Sequence, residues 1–208
     1  MEQRPNTQHP TPMNLLAHFF LSHQTPALVV GSFLGDFVKG KRYLEYDEAV
    51  AQGIRLHREI DAFTDTHPVF LQSKHRLVAE HRHYAGVVVD IFYDHLLAIR
   101  WGAYHPEPLA DFAQHIYQTL QSHQELLPPP ARRAMGYLVQ YRWLENYATL
   151  PGIAQTLQGL ERRVAHPNHM SQAVSALQED FTLFEQEFQT FFPQLQTHVK
   201  RYLADDGA

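Results

Sequence analysis

The chain contains no cysteine. Disulfides, thiolate zinc sites, iron–sulfur clusters and a cysteine nucleophile are therefore excluded, and any metal must be held by histidine, carboxylate or water. No apolar run of about 18 residues occurs, which argues against a membrane-spanning helix. The segment from Met1 to Pro12 is polar, with three prolines and no secretory-type apolar core, and reads as a flexible extension. The expectation is a cytoplasmic protein. Excess positive charge is also missing. Seventeen Lys and Arg against 22 Asp and Glu leave a formal charge of −5, which speaks against wholesale nucleic-acid binding. Gly-x-Ser-x-Gly elbows, phosphate loops and dinucleotide fingerprints are absent too.

Hydrophobic residues make up 44% of the 208 positions and aromatics 12%, enough for one buried core in one domain. Apolar positions recur at three-and-four spacing, and alternating strand-like runs are almost absent, so the fold class is all-α. The periodicity predicts helices near 13–22, 27–38, 46–64, 68–80, 84–103, 109–123, 130–146, 153–164 and 170–192. Prolines 26, 68, 106, 108, 128–130, 151, 167 and 193 fall where helices should start or stop. The expected organisation is an extension over 1–12, one helical bundle over 13–203 and a flexible tail over 204–208.

The segment 84–103 is apolar on nearly every side, yet it carries Asp90 and Asp94 four residues apart and hence on one face, with His95 beside them. Two buried carboxylates need a raised pKa, a cationic partner or a metal. His57, Asp61 and Asp65 follow at the same four-residue spacing on another predicted helix, and Asp36 sits among large apolar residues on a third. Acids and imidazoles projecting from several helices are ingredients of helical metal sites. Nitrogen and carboxylate donors suit Mn²⁺, Fe²⁺, Mg²⁺ or Zn²⁺. Such an ion supports hydrolysis by lowering the pKa of bound water and holding a phosphoryl oxygen. His18 is intermediate: ligand, ligand-orienting residue or packed core histidine.

Fifteen histidines are spread along the chain, and those other than His18, His57 and His95 sit mostly in polar surroundings that suit a surface. Lys39, Lys41 and Arg42 follow Asp36, Arg55 and Arg58 flank His57, and Arg162 and Arg163 form a further pair. Arg58 and Lys39, next to candidate ligands, suit phosphate contact, whereas Arg132 and Arg133 read as solvated surface. Phe181, Phe184, Phe188, Phe191 and Phe192 recur at helical spacing and read as core.

Four ordered motifs carry a family resemblance: Asn14-Leu15-Leu16-Ala17-His18, Gly35-Asp36-Phe37-Val38-Lys39-Gly40, His57 through Asp65, and Asp90-Ile91-Phe92-Tyr93-Asp94-His95. Together they resemble the acyl carrier protein phosphodiesterases, with Glu161-Arg162-Arg163 similar to a later Arg pair. The resemblance implies a divergent, HD-domain-like, metal-dependent helical phosphohydrolase. Its pair reads Asp94-His95, reversed from the His-Asp order of that superfamily, and Ser32 stands where many relatives are expected to carry Asn. The implied reaction cleaves the phosphodiester joining 4′-phosphopantetheine to a serine of holo-acyl carrier protein, releasing the apo protein and 4′-phosphopantetheine. The implied ligands of one or two divalent ions, Mn²⁺ foremost with Mg²⁺ or Fe²⁺ as alternatives, are Asp36, His57, Asp94 and His95, with His18 as a further candidate. Asp61, Asp65 and Asp90 are assigned to complete the shell, orient ligands or serve as base. Arg58 and Lys39 are assigned to the phosphodiester, and Lys41, Arg42, Arg162 and Arg163 to docking of the strongly acidic carrier protein. Neither a nucleic-acid nor a membrane partner is implied. Two other readings stand beside this one: an HD-type phosphohydrolase of nucleotides or other small phosphoesters, and a non-enzymatic helical module in which Asp90, Asp94 and His57 form a buried polar network.

Overall fold

Proline starts helices in this chain because the first helical turn needs no N–H donor. Pro26, Pro68, Pro129 and Pro151 occupy such positions, with Thr25, His67 and Thr149 side chains accepting hydrogen bonds from the first-turn amides of Leu28, Val69 and Gly152. The computed structural model describes residues 14–162 and 169–206; the expected extension over 1–12, Arg163 and the last two residues lie outside them. Among the described residues there is no strand. The helices are α1 (Leu15–Ser22), α2 (Pro26–Leu34), α3 (Glu48–Thr66), α4 (Pro68–His81), α5 (Ala85–Ile99), α6 (Leu109–Ser122), α7 (Pro129–Gln140), α8 (Trp143–Asn146), α9 (Leu150–Glu161), α10 (Ala173–Glu179) and α11 (Phe181–Asp206). No helix among them is long and apolar enough to cross a membrane.

Three predicted helices are divided. The segment 130–146 breaks at Arg142, whose left-handed φ of 48° turns the chain between α7 and α8. The segment 84–103 stops its α-helix at Ile99 and continues as a tighter turn over Trp101–Ala103. The segment 170–192 breaks between Glu179 and Phe181, and α11 then runs through Pro193 to Asp206, into the region expected as a tail. A proline inside a helix costs about 3 kcal/mol. Burial of Phe191, Phe192, Leu195 and Val199 around it explains why the helix persists.

α5 forms the axis of one continuous core: Val88, Val89, Ile91, Phe92, Leu96 and Leu97 have no solvent exposure. Phe184 and Phe188 of α11 meet Phe92 and Tyr93 edge-to-face at 5.2 and 5.5 Å, so the aromatic stripe is core. α2 and α3 touch backbone to backbone. A Cβ on Gly31 would lie 2.1 Å from the Val50 carbonyl oxygen, and one on Gly53 would lie 2.6 Å from that of Leu28. This close crossing sets the C-terminal end of α2, and with it Asp36, against the middle of α3.

Gly53→Ala should therefore force the two helices apart. We expect a loss of about 1–3 kcal/mol, a fall in Tm of roughly 2–12 °C, in thermal unfolding followed by circular dichroism. An unchanged Tm would show that the crossing has slack.

Candidate metal centre

His57 and Asp61 lie four residues apart on α3 and so share a face. Their partner from another helix is His18 of α1. The His18 and His57 rings stack, with centroids 4.1 Å apart and planes inclined by 25°. One carboxylate spans both: Asp61 Oδ1 is 3.2 Å from His18 Nε2 and Asp61 Oδ2 is 3.3 Å from His57 Nε2. Asp36, in the turn after α2, brings a second carboxylate oxygen to 3.7 Å from His57 Nε2. Gly35 makes this approach possible, because a Cβ there would sit 2.2 Å from His57 Cγ. Both imidazoles are buried, whereas the Asp61 side chain is 47% exposed, so the cluster opens to solvent on its acidic side.

The electrostatics follow from this arrangement. Burial is the main influence lowering the His18 pKa, reinforced by the neighbouring His57. Burial also disfavours charge on His57, but the Asp61 and Asp36 carboxylates outweigh it and raise its pKa. Burial alone would raise Asp61; the two imidazoles at its oxygens reverse that and hold its carboxyl far below the usual range. His18 Nδ1 is buried without a hydrogen-bond partner. Buried imidazole nitrogens left unpaired are costly. Two such rings around an ionised carboxylate, with a second carboxylate beside them and no thiolate, fit a divalent cation. Ligand atoms of His18, His57 and Asp61 lie within 4.8 Å of one another, and among the described residues they form the one such group.

Other candidate residues fall around this group. Asp65 is exposed one turn further along α3. Asp90 is half-buried on α5, and its carboxyl is pushed well above the ordinary range by burial and then by the charges of Asp61, Asp94 and Asp65. Asp94 and His95 are not brought into the cluster. The backbone amides of Leu16 and Ala17 each donate to an Asp94 oxygen at 2.9 Å, so this carboxylate closes the first turn of α1, where Asn14 supplies no cap. Asp94 thereby fixes the helix that carries His18. His95 is pinned by its Nδ1, 2.7 Å from the Tyr147 carbonyl oxygen. Arg58 donates to the carbonyls of Val38 and Gly40, both at 2.8 Å, and so braces the loop carrying Lys39. Lys39, Lys41 and Arg42 are exposed on that loop, with Arg42 paired to Glu45, while Arg162 is exposed after α9. Asp61, assigned from the sequence to complete the shell, orient ligands or serve as base, lies between the two imidazoles, and its i, i+4 relation to His57 was the available signal.

The sequence profile of the family described as acyl carrier protein phosphodiesterase matches residues 13–195. Curated proteins of that name are similar over nearly their whole length. The one from Yersinia enterocolitica is 32% identical over 189 residues, covering 90% of this chain and 98% of that protein. The one from Serratia proteamaculans is 33% identical with the same coverage, and the one from Photorhabdus laumondii is 31% identical over 88% of this chain and 93% of its own. No solved structure matches.

Asp94 gives the fold a pH dependence. Burial raises its carboxyl to about 7 despite the two amides, whereas the unfolded chain releases that proton near pH 4. Between those values the folded state binds more protons, so this group's contribution to stability falls as pH rises from about 4 to about 7. Urea unfolding of metal-free protein should show that slope. Asp94→Asn should remove it while costing about 1–3 kcal/mol through the lost acceptor; an unaltered slope would contradict the assignment.

Proposed function

The chain belongs to the acyl carrier protein phosphodiesterase family, and from that membership we propose a metal-dependent hydrolysis of the phosphodiester that links 4′-phosphopantetheine to the serine of holo-acyl carrier protein. Water attacks phosphorus, the bond to the serine oxygen breaks, and apo-carrier protein and 4′-phosphopantetheine leave. The carrying observation is the stacked His18–His57 pair spanned by Asp61, open to solvent beside a cationic loop.

His18, His57, Asp61 and Asp36 would hold the cation, with Mn²⁺ the expected ion. Once bound, it supplies water of lowered pKa and offsets charge on the phosphoryl oxygens. The protein's own groups do the rest. Asp61 stays ionised at neutral pH and keeps both imidazole Nε2 atoms turned toward one point. Gly35 leaves room for His57 to hold that orientation, and Asp94 sets His18 through α1. Burial and the neighbouring carboxylates favour the protonated form of Asp90, a direction that suits a proton donor to the departing serine oxygen better than a base. Asp65, at the open side, adds negative charge that supports cation binding. Lys39, on the loop that Arg58 braces, is the candidate for contact with the phosphodiester, and Lys41 and Arg42 for contact with the carrier protein. The setting that follows is the cytoplasm and fatty acid metabolism.

Intact mass spectrometry of holo-acyl carrier protein incubated with the enzyme tests this reading. Loss of one phosphopantetheinyl group is expected with Mn²⁺ and not after chelation. His57→Ala and Asp61→Asn should lower the rate at least 100-fold, about 3 kcal/mol, and Gly35→Ala should approach them by displacing His57. No mass change with folded, metal-supplied enzyme would overturn the proposal in favour of a nucleotide or other small phosphoester.

A further inference from the structure

Leu44 is the most exposed large apolar side chain among the described residues, at 65%. A solitary exposed leucine is ordinary. Its surroundings make this one different. It sits in the turn Arg42–Glu45, directly after Lys39 and Lys41, in a chain whose overall charge is −5. Three cations against one acid, Glu45, make this segment locally positive.

The turn is also braced. Arg58, the residue after His57, donates to the carbonyls of Val38 and Gly40, and its guanidinium lies 5.3 Å from the centroid of the Tyr43 ring. Arg55, one helical turn earlier on α3, lies 5.7 Å from the same ring. Tyr43 and Tyr46 pack inward on the core, and the Leu44 amide donates to the Lys41 carbonyl at 3.1 Å. Leu44 is thus presented outward on a segment whose neighbours on both sides are held.

The chemistry of the proposed reaction dictates what must lie here. Only a serine side chain separates the scissile phosphorus from the carrier's surface, so the carrier must rest on the rim of the metal centre. An interface of about 800 Å² per partner has a radius of about 16 Å. Lys39 is three residues from Asp36, at most about 11 Å of chain, and Tyr43 is one arginine side chain from position 58 of α3. The start of the braced turn, at Lys39, falls inside that radius.

Resting on the proposed reaction, we propose that Leu44 is the apolar anchor of the docking surface for the carrier protein, ringed by Lys39, Lys41 and Arg42, and that Arg58 is a positioning residue that holds this surface rather than a catalytic one. The occupant is the acidic face of the carrier protein around its modified serine, and an exposed leucine here calls for an apolar spot on that face. Charge complementarity supplies steering and a salt-dependent share of affinity, and Leu44 supplies a share that salt does not screen.

Kinetics on holo-carrier protein, together with fluorescence anisotropy of labelled apo-carrier protein, test this in the metal-loaded enzyme. Wild-type cleavage is measured first, so failure of the reaction itself is seen separately and overturns both proposals. Leu44→Asp should raise KM and Kd about tenfold or more with kcat within twofold, and Leu44→Met should restore both. Leu183→Asp, at a comparably exposed leucine on α11 (46%), should change neither. The Leu44→Ala defect should persist as salt rises, while that of Lys41→Gln shrinks. Arg58→Ala should raise KM and be less than additive with Leu44→Asp. Wild-type KM and Kd in Leu44→Asp, or an equal defect in Leu183→Asp, would overturn the inference.

Discussion

The molecule is organised around one ionised carboxylate spanning two buried imidazoles. Asp61 meets the Nε2 atoms of His18 and His57 at 3.2 and 3.3 Å, and the rings are forced into a stack at 4.1 Å. Two buried imidazoles side by side resist carrying two protons, and His18 Nδ1 finds no partner in the protein. The arrangement is costly as a piece of packing and economical as a cation site.

Most of the nearby architecture can be read as support for that arrangement. Backbone contact between α2 and α3 fixes where Asp36 emerges, and the absence of a side chain at Gly35 lets His57 fill the space beside it. α1 has no cap of its own, and the carboxylate of Asp94 closes its first turn from within α5. An acid buried in an apolar helix is thereby paired with backbone donors, which relieves part of the cost of burying it. His95, its neighbour, anchors the chain near Tyr147. The pair reads as scaffold for the centre, one layer behind it.

Helical class and core were legible in the sequence because the three-and-four spacing is strong and proline marks helix starts. What was not legible depends on long-range packing. Pro193 suggested a helix end, but buried aromatics before it and buried Leu195 and Val199 after it carry α11 across it. Arg142 in a left-handed conformation splits a helix that periodicity alone would leave whole. For the site, the i, i+4 spacing identified His57 and Asp61 as co-facial, and Asp36 stood out as an acid among large apolar residues. Spacing could not show that His18 would stack on His57, because that contact joins residues 39 positions apart. Nor could it show that Asp94 would find two amides, since α1 lies 77 and 78 residues away. The contacts of Arg58, whose guanidinium bridges two carbonyls of the loop ahead of it, could not be read from its place beside His57 either.

The account turns on which residues hold the cation. Binding of Mn²⁺ followed by electron paramagnetic resonance in purified, metal-stripped protein measures this directly. A stoichiometric site is expected that weakens at least tenfold in His18→Ala, His57→Ala and Asp61→Asn and survives in folded His95→Ala. Undiminished binding in the first three variants, with loss in His95→Ala, would contradict it and move the centre onto α5.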